Sequence, residues 1–199
     1  IILGVATLII VMSVMNGFRA ELIGRILGLN GHIGIYENQN NFLNYDEFSV
    51  GVAEIPGVKA VTPQIEGQGL IVYNNNSSGI IVRGVRWSDL SARKQLWNSI
   101  GNKEIESFNN NGIIIGHRLA KKLNIQNNDD VFILTPQLRV TAFGSVPKQK
   151  KFKVIQTFDV GMFEYDSGFI FMSLADAQSL YGYDKNNSIS NLEVYLNST

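Results

Sequence analysis

No cysteine occurs among the 199 residues, so disulfides, thiolate metal centres and cysteine nucleophiles are excluded, while the redox compartment stays open. Charge is scarce: Asp, Glu, Lys and Arg make up 17% of the chain, against roughly 25% in an average globular domain. The 17 basic and 17 acidic residues cancel, which argues against the positive footprint that nucleic-acid binding requires. Histidine is limited to His32 and His117, far apart in sequence, and no metal site is expected from them. The pairs Asp129-Asp130, in an Asn-rich turn, and Glu164 and Asp166, flanking Tyr165 in an expected strand, are read as solvated carboxylates. No G-x-x-x-x-G-K-[ST] loop is present to cradle phosphates, and no G-x-S-x-G turn to expose a nucleophilic serine. The chain is expected to be non-enzymatic and to carry no cofactor.

What the sequence does have is apolar mass, 45% of residues, and it is unevenly spread. Ile1–Met15 carries no charge, and its only polar side chains are Thr7 and Ser13. As a helix these residues span roughly 22 Å, short of a hydrocarbon core of about 30 Å. With Ile in first place, the run is expected to be the end of a transmembrane helix cut inside a longer apolar segment. A signal peptide would need a basic leading region and an A-x-A site, and neither is there. Phe18, Leu22, Ile26 and Leu29 continue the helical spacing, Glu21 and Arg25 form a favourable i,i+4 pair, and Gly28 with Asn30-Gly31 supplies a stop. Residues 1–29 are therefore expected to be a membrane helix with an amphipathic stalk. Met12, Met15 and Phe18 share one face of it near the membrane surface. Flexible thioethers there suit either a path for lipid chains or packing against a neighbouring membrane helix.

Beyond the stalk, strands and helices alternate. His32–Tyr36 reads as a strand; Asn44 is placed to cap a helix carrying Phe48, Val52 and Ile55, stopped by Pro56-Gly57; Val58–Thr62 alternates again. The end of the chain repeats this pattern. Phe169–Met172 is a strand, Ser173 and Asp176 form a capping box for a helix ending at Gly182, and Ile189–Leu196 is the last strand. The middle predicts strands at Gly69–Tyr73 and Ile80–Val85 around the turn-forming NNNSSG, and a helix over Asp89–Ile100. A strand at Gly112–Ile115 then leads into the helix HRLAKKLN, and further strands follow at Val131–Leu134 and Phe152–Phe158. The expectation is an α+β fold of two subdomains, one from residues 30–74 and 152–199, the other an α/β insertion of residues 75–151.

Thr135–Lys151, 17 residues with two prolines and no core-like period, is long for a loop in a compact domain. If the flanking strands continue into it, it is a hairpin with its tip near Phe143-Gly144-Ser145-Val146-Pro147. Phe143, Val146 and Pro147 then form an exposed apolar tip, and Lys148, Lys150, Lys151 and Lys153 a basic return limb suited to an acidic partner or a phospholipid surface. The alternative is a solvated hairpin whose Phe folds back on its own domain.

Several stretches, taken together, resemble one family. MSVMNGFRAELIGRILGLNGHI, EIPGVKAVTPQIEGQGLI, NGIIIGHRLAKKLNIQNNDDVFILTP, FKVIQTFDVGMFEYDSGFIFMSLADAQSL and the closing LEVYL follow the order of the LolC/LolE family, the permease subunits of the lipoprotein-releasing ABC transporter. The resemblance implies a macrolide-exporter-type permease of the bacterial inner membrane, with four transmembrane helices and a two-part periplasmic domain between the first two. It implies removal of lipoproteins from the outer leaflet, driven by a cytoplasmic ATPase subunit, and transfer to a periplasmic carrier chaperone. A second permease subunit, different or identical, is implied as partner. In the LolC-type subunit a protruding hairpin recruits the chaperone. TAFGSVPKQ resembles that hairpin, most closely at Gly144, Pro147 and Gln149, and Phe143, Val146 and Lys148 are grouped with them as the expected partner-binding residues. Met12, Met15 and Phe18 become candidates for lining the lipoprotein path. A membrane-anchored extracytoplasmic sensor or ligand-binding module is the competing class.

Overall fold

The computed structural model describes residues 2–37, 42–100, 105–141 and 144–197. Helix α1 (Ile2–Leu27) is continuous through Gly17 and Gly24 and about 39 Å long. Its segment Ile2–Gly24, 23 residues, is long and apolar enough to cross a membrane and none of it is buried in the domain. The Thr7 hydroxyl is satisfied within the helix by donating to the Leu3 carbonyl at 2.8 Å.

The domain that follows contains β1 (Ile33–Tyr36), α2 (Tyr45–Ala53), β2 (Val58–Tyr73), β3 (Asn76–Val85), α3 (Lys94–Ser99), α4 (Ile105–Asn109), β4 (Gly112–Gly116) and α5 (His117–Leu123). It continues with β5 (Asp130–Thr141), β6 (Gly144–Phe158), α6 (Phe163–Gly168), β7 (Phe169–Ser173), α7 (Leu174–Tyr181) and β8 (Asn191–Leu196). Among the described residues these strands form one sheet in the order β1-β8-β2-β3-β7-β4-β6-β5. A further pairing of Leu70–Val72 with Phe132–Leu134 returns β5 to β2 and closes six strands into a ring. β8 and β1 continue the sheet beside the first half of β2. The segments 30–74 and 152–199 thus meet the segment 75–151 within a single sheet, with β2 paired to strands from both.

Strand alternation sorts side chains onto two faces. Val82, Ile113, Ile115, Val154, Ile170 and Met172 join the core beneath α2, α5 and α7. Their neighbours Ile81, Ile114, Ile155, Phe169 and Phe171 join a second core with Leu29, Leu90, Leu96 and Phe108. Helix α7 starts with the expected capping box: Ser173 Oγ accepts from the Asp176 amide at 3.1 Å and donates to Asp176 Oδ2 at 2.7 Å. The helix lies directly on β3, where a Cβ at Gly84 would collide with the Ala177 methyl.

Four expectations are corrected. Val58–Thr62 and Gly69–Tyr73 are one strand of 16 residues, because β8 pairs with its first half and β3 with its second. The stretch from Asp89 to Ile100 is not one helix: a 3-10 turn over Trp87–Ala92 and α3 are separated at Arg93, whose backbone departs from helical angles (φ −89°, ψ 75°). Asn44 precedes α2 in a left-handed conformation (φ 52°) and makes no side-chain cap. Glu164 and Asp166 lie in α6, not in a strand, and Asp166 is buried because its Oδ1 accepts the Val160 amide at 2.9 Å.

A polar knot fixes the domain to α1. Asn30 donates through Nδ2 to the Tyr165 hydroxyl at 2.6 Å and accepts from Arg83 Nη1 at 2.7 Å, while Arg83 Nε reaches Glu66 at 2.9 Å. Arg83 also lies over the Phe169 ring, itself stacked on Tyr165. Nearby, the fully buried Arg93 donates through Nη2 to both Gln64 and Glu193 at 2.7 Å, and Tyr195 donates to Glu193 at 3.0 Å. Burial pushes the Tyr195 hydroxyl pKa up, so it stays a donor. Removing one partner leaves the others desolvated. Asn30→Ala should cost about 1–3 kcal/mol, read as a lowered denaturation midpoint. Arg93→Met, which leaves Glu193 buried without its cation, should cost about 3–5 kcal/mol, and adding Glu193→Gln should restore part of that loss. Equal midpoints for the Arg93→Met single and the double variant would show that Glu193 does not depend on Arg93.

Candidate docking hairpin

Strands β5 and β6 outrun the ring. The β2–β5 pairing ends at Leu134, and β4 covers β6 only from Lys153 onward. Beyond those points the two limbs pair only with each other, from Thr135↔Lys148 to Thr141↔Gly144. The expected hairpin is therefore present. Its register breaks between Thr135 and Leu138, where Pro136 and Gln137 form a bulge opposite a continuous β6. Proline has no N–H to give the ladder, and a bulge adds twist, so the hairpin turns relative to the sheet.

That turn brings its base against α7. Gln137 Nε2 donates to the Tyr181 carbonyl, Lys148 Nζ to the Ser179 carbonyl, and Lys150 Nζ pairs with Asp176 at 2.8 Å. Cationic and amide donors thereby satisfy carbonyls at the C-terminal end of the helix. Lys151 pairs with Asp130 on the opposite limb at 2.8 Å. Of the basic return limb, Lys148, Lys150 and Lys151 are engaged with their own domain, while Lys151 and Lys153 stay exposed. The Tyr181 hydroxyl donates to the Gln68 carbonyl at 3.0 Å, and burial pushes its pKa up, so the helix end is also tied to β2.

Above the strapped base, the expected partner-binding residues are presented to solvent. Val146 is 46% exposed, and Gly144, Pro147 and Gln149 are exposed as well. Gly144 has φ 121°, in the region that side chains avoid, so the return from the tip depends on it. Phe143 lies outside the described residues. Leu138, 64% exposed and paired with Pro147, was missed by sequence reasoning; its alternation within PQLRV was the available signal. Leu134, Leu138, Val146 and Pro147, with Gln137, Lys148 and Gln149, face Gly182, Asp184 and Lys185 across a groove of about 900 Å³. These aliphatic, amide and charged groups supply contact surface, and the arrangement is suited to holding a partner. Met12, Met15 and Phe18 are all exposed on α1, far along the chain from the hairpin.

Comparisons with known proteins agree with this architecture. The profile of the MacB-like periplasmic core domain matches residues 1–199. The lipoprotein-releasing system transmembrane protein LolC of Neisseria meningitidis serogroup B is 31% identical over 193 residues, 93% of this chain and 45% of that protein. LolE of Haemophilus influenzae, of the same system, is 24% identical over 189 residues, 92% of this chain and 45% of that protein. The chain thus spans about half the length of the curated relatives it matches. Among solved structures, the extracellular domain of the noncanonic ABC-type transporter YknZ from Gram-positive bacteria shares the fold, with a TM-score of 0.52, 16% identity and 83% coverage of each chain. With a membrane-length apolar helix leading into this mixed α/β sheet, and with the profile matched from end to end, the chain belongs to the family of MacB-like periplasmic core domains.

Proposed function

We propose that this chain is the periplasmic part of an ABC transporter permease that releases lipoproteins from the bacterial inner membrane and hands them to a periplasmic carrier chaperone, with the hairpin as the chaperone's docking element. One observation carries the reading: a two-stranded protrusion exposes Leu138, Val146 and Pro147 while its base is strapped to α7. An exposed apolar ridge marks a partner surface, and holding it in place beforehand lowers the entropy cost of binding. ATP hydrolysis belongs to a cytoplasmic subunit in this reading, and a second permease subunit, different or identical, completes the transporter. Residues 1–29 anchor the domain, and Met12, Met15 and Phe18 face the lipoprotein's path.

Titrating the purified chain with the carrier chaperone tests the docking role. Pro147→Ala and Val146→Asp should weaken affinity by about thirtyfold, the equivalent of roughly 2 kcal/mol at a buried anchor, without lowering the melting temperature. Unchanged affinity would reject the hairpin as the docking element. Lys150→Ala acts differently, because it loosens the strap and leaves the apolar ridge intact. It should cost about 0.5–1 kcal/mol of affinity through a faster off-rate, with little change in the salt dependence of association. A large change in that salt dependence would mean that Lys150 meets the partner directly. For the membrane face, photocrosslinkers at Met12, Met15 and Phe18 in the assembled permease should capture lipoprotein; adducts only with neighbouring helices would refute that assignment.

A further inference from the structure

We propose that His117, Asp159 and Asp166 form a binding site for a divalent cation of borderline softness, with Zn²⁺ as the best match. Three chain segments meet there: His117 opens α5, Asp159 follows β6, and Asp166 sits in α6. Asp166 is fully buried. Its Oδ1 accepts the Val160 amide at 2.9 Å, while its Oδ2 is buried with no hydrogen-bond donor and lies 3.9 Å from His117 Nδ1. Asp159 repeats the arrangement: Oδ1 accepts the Gly161 amide at 3.0 Å and Oδ2 lies 3.5 Å from the same nitrogen. His117 Nδ1 is itself buried and without a hydrogen-bond partner.

Each carboxylate is therefore held by one oxygen and turns the other toward a single imidazole nitrogen. The three donor atoms lie within 4.8 Å of one another. Separations of 3.5 and 3.9 Å are too long for N–H···O hydrogen bonds. They are close to the edge of a zinc coordination polyhedron: bond lengths of about 2.0–2.2 Å to nitrogen and oxygen place neighbouring ligands roughly 3.3–3.5 Å apart. With Nδ1 deprotonated, three lone pairs face one point, a repulsion that a cation between them relieves and that the burial of Asp166 sharpens. The backbone is fitted to the arrangement, since a Cβ at Gly116, just before His117, would collide with the Asp166 carbonyl. Asp159 also lines a cleft of about 740 Å³ with Glu21 and Gly24 of α1, which gives an ion a way in and leaves room for water as a further ligand. A cation here would join the β4–α5 and β6–α6 corners on the side of the domain that faces α1.

The test uses the whole chain in detergent micelles, stripped of metal with chelator and titrated with Zn²⁺ against a competing zinc indicator. One Zn²⁺ per chain is expected, with affinity reduced at least tenfold in Asp166→Asn, Asp159→Asn and His117→Gln, and unchanged in His32→Gln. Should Asp166→Asn fail to fold, the exposed Asp159 carries the same comparison. Co²⁺ should give visible absorption of a low-coordinate site that disappears in His117→Gln. Absence of stoichiometric Zn²⁺ binding, or binding that survives Asp159→Asn and His117→Gln or follows His32, would overturn the proposal.

Discussion

An apolar helix whose membrane-length segment is exposed takes its direction from the contacts of its last turns, where Gln95 reaches the Gly24 carbonyl, and from the residues immediately past its end. Here those residues are Leu29, which is fully buried, and Asn30, whose amide joins Arg83 on β3 to Tyr165 on α6. The chain has few charges to spend, 17% in all, yet it places Arg83, Arg93 and Glu193 among its buried groups around this junction. Desolvating them is costly, and apolar packing could supply similar stability. What hydrogen-bonded groups add is direction, since a bridging amide accepts only one geometry of its donor and acceptor. The orientation of the domain on its membrane helix follows from that.

Much of the fold is legible in the sequence wherever a local rule is sufficient. The capping box at Ser173 and Asp176, the glycine stop of α7 and the short apolar strand before HRLAKKLN all read correctly, because their determinants lie within a few residues. The rest depends on distant partners. Gln64 and Glu66, polar residues in the middle of β2, interrupt the apparent alternation; they are in the strand because Arg93 and Arg83 meet them from elsewhere in the chain. Arg93 divides what reads as one helix for the same reason. Asp166 looks like a surface carboxylate until the chain folds back and gives it the Val160 amide.

The hairpin shows the same division. Its length and its two prolines single the segment out in the sequence, and the hairpin follows there only if the flanking strands continue into it, as β5 and β6 do. Its strap is not visible, because the acceptors for Gln137 and Lys148 are backbone carbonyls of α7, and no residue type announces a carbonyl. Lys148 and Lys150 direct their ammonium groups to a carbonyl and a carboxylate of α7, and Lys151 to Asp130 across the hairpin. The family relationship is legible from the order of several individually unremarkable stretches, and the profile match spans the whole chain.

One consequence follows from the length of β2. A strand of 16 residues extends up to roughly 50 Å, and this one is hydrogen-bonded to β8 at its beginning, to β3 through its second half and to β5 near its end. It works as a spar. With neighbours bonded along its flanks, it has no point at which to fold without breaking a ladder. Arg83 of β3, which meets Asn30, is paired with Glu66 of β2, and only four to six residues further along, β2 pairs with β5 at the root of the hairpin. At about 3.3 Å per residue the two points lie only roughly 13–20 Å apart, so the membrane junction and the docking hairpin are joined by a short stretch of β2 hydrogen-bonded along its flanks rather than by a loop.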